Sequence, residues 1–393
     1  MPTPLVSGPF ARVTVANFFF FLNFASFFLL PLHLKALGAT EGVVGSVMGT
    51  TQAASLVATL LVGTVIDRVG RRRFFVLGTA GMTLAAVAYL LPERIGPWLY
   101  VLRAMQGVCF AAAFAASSTL AAELAPADRR AQALGIFGVS TLLTHAIAPA
   151  VGEEIIQRGG FNALFLTAAV CTLIPIPLLR GVPSRPRMPV STVGGGLRLS
   201  ATHGVLFLTM ALTGMGFGAV NTFVPTFVRA HNLGRVGFFY GSYSLTAVLT
   251  RVVGGGLSDS LGRRAIVLPA LLGFASAILA LAAVQNVWML VFAGLLFGAA
   301  QGMSYPTLQA FLIDVTPWNQ LGRSQAYFNG AFNLGVMSSA FLFGVVADAI
   351  GQRFMFCVAA VTPVLAALVF HAGSPGAAVA ARGAAAVDET TVS

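Results

Sequence analysis

Gly63-Thr-Val-Ile-Asp67-Arg68-Val-Gly70-Arg71-Arg72-Arg73 closes one long apolar run, and Gly255-Gly-Leu-Ser-Asp259-Ser-Leu-Gly262-Arg263-Arg264 closes another. Both fit G-x-x-x-D-x-x-G-R-R, and they stand 192 positions apart in a chain of 393 residues. A second pair, Glu123-Leu-Ala-Pro126 and Asp314-Val-Thr-Pro317, recurs at a spacing of 191. One such stretch alone is weak evidence. Two pairs at nearly the same offset divide the chain into similar halves, the arrangement of folds built from internal repeats.

What lies between these stretches is almost wholly apolar. Hydrophobic residues make up 57% of the chain and charged residues 9%, whereas a soluble domain carries about a quarter charged residues. A membrane-crossing helix needs about 20 apolar residues for about 30 Å of hydrocarbon. The apolar runs predict spans at 10–31, 42–65, 74–91, 97–124, 131–152, 161–179, 203–228, 237–258, 265–284, 287–313, 323–347 and 354–371. The expected fold class is therefore an all-α membrane protein, with twelve transmembrane helices in two pseudo-symmetric six-helix bundles. Residues 1–180 form the N-terminal bundle, 181–202 a cytoplasmic linker rich in Pro and Gly, and 203–372 the C-terminal bundle. The Ala/Gly-rich stretch 373–393 reads as a disordered cytoplasmic tail. Phe10 to Pro31 is long enough to span and reads as an uncleaved first helix.

The net charge is +11, from 23 Lys+Arg against 12 Asp+Glu. The arginines lie in short clusters between apolar runs, which argues against nucleic-acid binding and for topology. With both termini in the cytoplasm, the loops on that side carry fifteen Lys+Arg and those on the other side six. That asymmetry follows the positive-inside rule. Cys109, Cys171 and Cys357 all sit in apolar runs without ligand spacing, so neither a metal site nor a cofactor is expected.

The paired loops resemble the cytoplasmic motif of the major facilitator superfamily, and the likeness covers nearly the whole chain. Arg103-Ala-Met-Gln106-Gly107 is similar to a motif of that family with a buried arginine. Gly135 followed by Ala148-Pro149-Ala-Val-Gly152-Glu153 resembles a decayed form of its antiporter motif, with Ala148 and Glu153 standing where glycines are usual. The resemblance is closest to the twelve-span drug or metabolite:proton antiporters. It implies a multi-pass inner-membrane transporter whose helices rock around a central cavity, and since one chain holds both halves it is expected to work as a monomer. Its expected partners are a small-molecule substrate, protons and the lipid bilayer.

Several residues follow as candidates. Asp67 and Asp259 each end a helix before a glycine turn, where a carboxylate can hold the N-terminus of a helix from the other half. Gly63, Asp67, Arg68, Gly70, Arg71, Arg72 and their counterparts Gly255, Asp259, Gly262, Arg263, Arg264 are thus expected as cytoplasmic latches. An arginine inside an apolar helix is usually functional. Arg103 lies about 9 Å from the outer surface and His145 about 21 Å from the inner one, depths that agree in a core of about 30 Å. Asn23 falls at a similar level, so Arg103, Gln106, His145 and Asn23 are expected to form a substrate or proton site. The competing reading makes Arg103 structural, snorkelling to Glu153 or Glu154, and His145 a satisfied core residue. Arg251 reads as structural, within reach of Asp259 or Asp314.

The second half offers Asn221, Tyr243, Gln301, Tyr305, Asn329 and Asn333, which either line a cavity or bond helices together. Pro149, Gly152, Pro225 and Pro306 are expected to let helices flex. No carboxylate falls at mid-membrane. The expected activity is proton-coupled efflux of apolar or amphipathic compounds, and an importer or facilitator of a sugar, organic acid or other metabolite remains open on the same fold. A membrane enzyme or sensor is the remote alternative, since no loop carries a nucleotide motif, metal cluster or catalytic triad.

Overall fold

The computed structural model describes residues 7–91, 93–126, 129–183, 200–317 and 320–373, with side chains at 60–69, 131 and 252–259 left outside that description. The described residues are helical apart from short connections. Helix α1 runs Gly8–Ala36, with a tighter 3-10 turn at Phe27–Leu29. It is followed by α2 (Glu41–Val69), α3 (Arg71–Ala88) and α4 (Pro97–Leu124). Arg130–Leu173 is continuous in hydrogen bonding but carries Gly160 at φ +72°. Gly152 lies against Leu164, too close for residues twelve apart on a straight helix. The chain therefore reverses at Gly160 into α5 (residues 130–159) and α6 (residues 161–178). The second half follows with α7 (Ala201–Ala230), α8 (Val236–Leu261), α9 (Arg263–Ala283), α10 (Val287–Asp314), α11 (Leu321–Ile350) and α12 (Gln352–Gly373). These are twelve spans of a multi-pass membrane protein. The expected linker and tail fall mostly at 184–199 and 374–393, outside the described residues.

The halves repeat each other turn by turn. Gly70 before α3 and Gly262 before α9 have φ of +88° and +87°, a region that only glycine enters freely. Gly38 before α2 matches Gly234 before α8, and Gly160 before α6 matches Gly351 before α12, all four again with positive φ. Packing repeats as well: α2 lies on α4 as α8 lies on α10, and α1 lies on α5 as α7 lies on α11. Small residues permit these approaches. A Cβ on Gly107 would strike the Thr51 carbonyl of α2, and one on its counterpart Gly298 would strike the Tyr243 carbonyl of α8. Gly294 and Gly302 continue that face of α10 against Phe239, Ser242 and Ala247.

Between the halves, α2 packs on α11 and α5 on α8. At the end carrying Glu41, one apolar core runs through both halves, joining Phe28, Phe165, Phe223, Tyr240 and Phe297. At the arginine-rich end the core divides. Phe10, Phe20, Phe75 and Leu120 belong to a first-half cluster, and Met210, Leu271, Leu308 and Phe328 to a second-half cluster. The halves are thus sealed together at one end and hold separate cores at the other.

Candidate substrate cavity and the contacts that close it

A cavity of about 90 Å³ lies between the halves, lined by Phe24, Phe27 and Phe28 of α1, Met48 of α2, Arg103 of α4 and His145 of α5, and by residues of α7 and α11. Gln52, Phe217, Asn221 and Thr222 complete its polar and aromatic wall. The 3-10 turn of α1 places Phe27 and Phe28 there by breaking the helical register just where the wall is needed.

Arg103 is 5% exposed. One terminal nitrogen donates to Gln106 Oε1 at 2.9 Å and the other to Met48 Sδ at 3.1 Å. Tyr89 donates to the same Gln106 oxygen at 3.4 Å. Arg103 Nε, Gln106 Nε2 and Asn221 Oδ1 have no partner among the described residues. Buried polar groups of this kind are normally satisfied, and Arg103 and Asn221 line the cavity, so their unmade hydrogen bonds mark where a ligand can bond. His145 lies tilted against Phe28, ring centres 5.1 Å apart, and its Nδ1 is 3.1 Å from the Thr141 carbonyl. Tyr243 approaches it edge-on at 6.4 Å.

Other expected site residues stand elsewhere. Asn23 turns to α6, donating to the Ala168 carbonyl at 2.8 Å, so it does not share the cavity with Arg103. Tyr305 donates to Asn329 at 2.6 Å and links α10 to α11. Gln301 is buried with Oε1 unpartnered, and Asn333 is half-buried. Pro149, Pro225 and Pro306 lie inside α5, α7 and α10. Gly152 sits where a side chain would strike Leu29 of α1. Arg251 of α8 approaches Gly138 of α5, while Asp314 is taken by Arg263.

The arginine-rich end shows the twin motifs in part. Arg71 pairs with Glu123, and the matching Arg263 pairs with Asp314 at 3.0 Å. Arg264 donates to the His371 carbonyl at 2.8 Å. Helices α2 and α8 run through Gly63, Asp67 and Arg68 and through Gly255 and Asp259, but the side chains there are outside the described residues.

At the opposite end stand two contacts that sequence reading missed. Glu153 of α5 accepts from the Val236 and Gly237 amides at 2.9 and 2.8 Å, closing on the N-terminus of α8. Asp348 of α11 accepts from the Glu41 and Gly42 amides at 2.7 and 2.8 Å, closing on the N-terminus of α2. Carboxylates and amides alike are 195 positions apart, so the two contacts are one device used twice. Each joins the halves through a carboxylate on the positive end of a helix, and hydrogen bonds to charged groups contribute about 1.5–3 kcal/mol. Glu153 is thereby engaged by α8 and is not a partner for Arg103. Glu41 adds bonds to Lys35 at 3.2 Å and Thr226 at 3.1 Å, and Glu154 a bridge to Arg235 at 3.3 Å. The signal was present in the sequence: Glu153 and Asp348 recur at the offset that also relates Gly42 to Gly237.

The family model described as Major Facilitator Superfamily matches residues 13–234 and again 206–388. The chain belongs to the Major Facilitator Superfamily. Membership makes it a transporter and not an enzyme. It is 25% identical over 372 residues to the multidrug resistance protein MdtG of Citrobacter koseri, covering 89% of this chain and 91% of that one. To MdtG of Salmonella choleraesuis it is 24% identical over 363 residues, or 86% and 89% of the two chains. Among solved structures it is similar to a bacterial homologue of the human lysosomal transporter Spinster, inward-facing and occupied. That match has a TM-score of 0.80 at 15% identity, over 93% of this chain and 96% of the other. The inward-open xylose transporter XylE from E. coli matches with a TM-score of 0.78 at 17% identity, over 93% and 95%. At these identities the solved structures show a shared fold.

Proposed function

We propose that this superfamily member is a proton-coupled exporter of apolar or amphipathic small molecules in the bacterial inner membrane, with both termini and the arginine-rich end in the cytoplasm. The observation that carries the reading is the pairing of Glu153 and Asp348 on helix N-termini across the halves, with the cavity behind them. A transporter needs a gate that closes one side while the other opens, and contacts between halves that reform in alternation supply it. In this reading Glu153 and Asp348 hold the outer side shut, and Asp67 and Asp259 hold the inner side shut in the alternate state. The Phe-lined wall favours apolar groups, and the unmade hydrogen bonds of Arg103 and Asn221 orient one polar group of the substrate, with Gln106 holding Arg103 in place. The multidrug-resistance relatives support export.

The test is accumulation of a panel of toxic compounds in cells lacking their main exporters. Wild type is expected to lower accumulation of at least one compound, and Asp67→Asn or a protonophore to abolish the effect. Well-expressed wild type that protects against nothing sinks the export reading. A facilitator or importer draws support from one observation, that among the described residues no carboxylate lines the cavity. It would show as equilibrating transport of a labelled metabolite that a protonophore leaves unchanged.

A further inference from the structure

At the arginine-rich end, α3 and α6 leave a groove of about 360 Å³ on the outer face of the first bundle. Its floor is Val76, Leu77, Ile176 and Leu179, and its rim is Arg72, Arg73 and Arg180. Leu77 is 62% exposed, so the floor faces hydrocarbon in a bilayer. We propose that this groove binds an anionic phospholipid, its phosphate between the three guanidinium groups and an acyl chain along Val76 and Leu77.

Three independent features argue for an anion here. Among the described residues no acidic side chain pairs with Arg72, Arg73 or Arg180, although the neighbouring Arg71 is paired with Glu123. Arg72 and Arg73 occupy the first turn of α3, whose N-cap Gly70 offers no side-chain bond. Positive charge at that end of a helix opposes the dipole, and an anion relieves both the charge and the open amides.

The pseudo-symmetric comparison supplies the third feature. Arg264, the counterpart of Arg72 at 192 positions, donates to the His371 carbonyl at the end of α12. The residue 192 positions before His371 is Leu179 at the end of α6, which accepts no bond from Arg72. Where the second half closes this corner with its own backbone, the first half leaves a cationic groove open to lipid. The apolar floor selects a lipid over a soluble anion, since a free phosphate gains nothing from Val76, Leu77 or Ile176. Clustered Lys/Arg at the cytoplasmic boundary is a recognised form of anionic-lipid site.

The test is lipid retention by the full-length protein in native mass spectrometry, after incubation with an equimolar mixture of phosphatidylglycerol and phosphatidylcholine. Wild type is expected to retain phosphatidylglycerol over phosphatidylcholine by at least about fivefold, the scale of one basic residue at an anionic surface. The double variant Arg72→Gln/Arg73→Gln should lose that preference, and Arg94→Gln at the other end should keep it. Leu77→Trp, which fills the groove and leaves every charge, is the second variant and should also lose it. Equal retention of the two lipids by wild type, or an undiminished preference in both groove variants, overturns the proposal. Displacement of the lipid by millimolar inorganic phosphate would also overturn it, in favour of a soluble-anion site.

Discussion

Glu153 and Asp348 each accept two backbone amides from the opposite half, so the charge on each is the element to remove. Glu153→Gln and Asp348→Asn keep the shape and lose the helix-dipole attraction. Each substitution is expected to shift the balance toward outer opening by about 1 to 1.5 kcal/mol, or roughly tenfold. Labelling of a cysteine placed at the Glu41 end by a membrane-impermeant maleimide measures it. Unchanged labelling in the double variant would exclude these carboxylates as the outer gate. Arg103 invites a different test. Arg103→Leu removes the one formal charge that lines the cavity among the described residues. It is expected to reduce transport by at least about tenfold, as loss of a charged hydrogen-bonding group does, with normal amounts of folded protein on size exclusion.

At the scale of helices, two kinds of glycine behave differently. Gly70 and Gly262 have positive φ and open space around the absent Cβ, so substitution strains the backbone without a clash. Gly70→Ala and Gly262→Ala should each lower stability by about 1–2 kcal/mol, read as a fall in melting temperature. Gly298 is helical but pressed on the Tyr243 carbonyl and the Thr246 side chain. Gly298→Leu must push α10 off α8, and about 3 kcal/mol of destabilisation, the upper end for overpacking, is expected at this contact. Melting of purified protein in detergent separates the two cases, and a Gly298→Leu protein as stable as wild type would refute the packing account. The same element-level reasoning explains Asn23. It lies at the depth of Arg103, but depth says nothing about which side of α1 faces α6, and the Ala168 carbonyl claims its amide.

For the whole molecule, the joined core at the Glu41 end and the two separate cores at the arginine-rich end describe halves hinged about one sealed face. Locking that face should stop transport. Asp348 Cγ, where a cysteine sulfur would sit, stands 3.8 Å from where a Cβ on Gly42 would lie, so a small shift brings the pair to disulfide geometry. Gly42→Cys with Asp348→Cys is expected to cross-link under oxidation, abolish transport and regain it in dithiothreitol. Transport that continues through complete cross-linking would show that the outer face need not open. The native Cys109, Cys171 and Cys357 lie on other helices, so the engineered pair can be read without their removal.

The number of spans, the two-fold repeat and the glycine turns at Gly70 and Gly262 follow from sequence alone, because apolar length and backbone freedom are local properties. So does the depth of Arg103 and His145, which needs only a rise per residue. Which side chains meet does not follow, because rotation about each helix axis is set by neighbours distant in the chain. Only the packed structure turned Asn23 toward α6 and set Asn221 and Arg103 on the wall of one cavity. It also set Glu153 and Asp348 on the amides of α8 and α2. In sequence Glu153 reads as a substituted glycine and Asp348 as an acid just past the end of a predicted span. Their role comes from the helix N-termini of the other half, which arrive within 3 Å only when both bundles have folded and met.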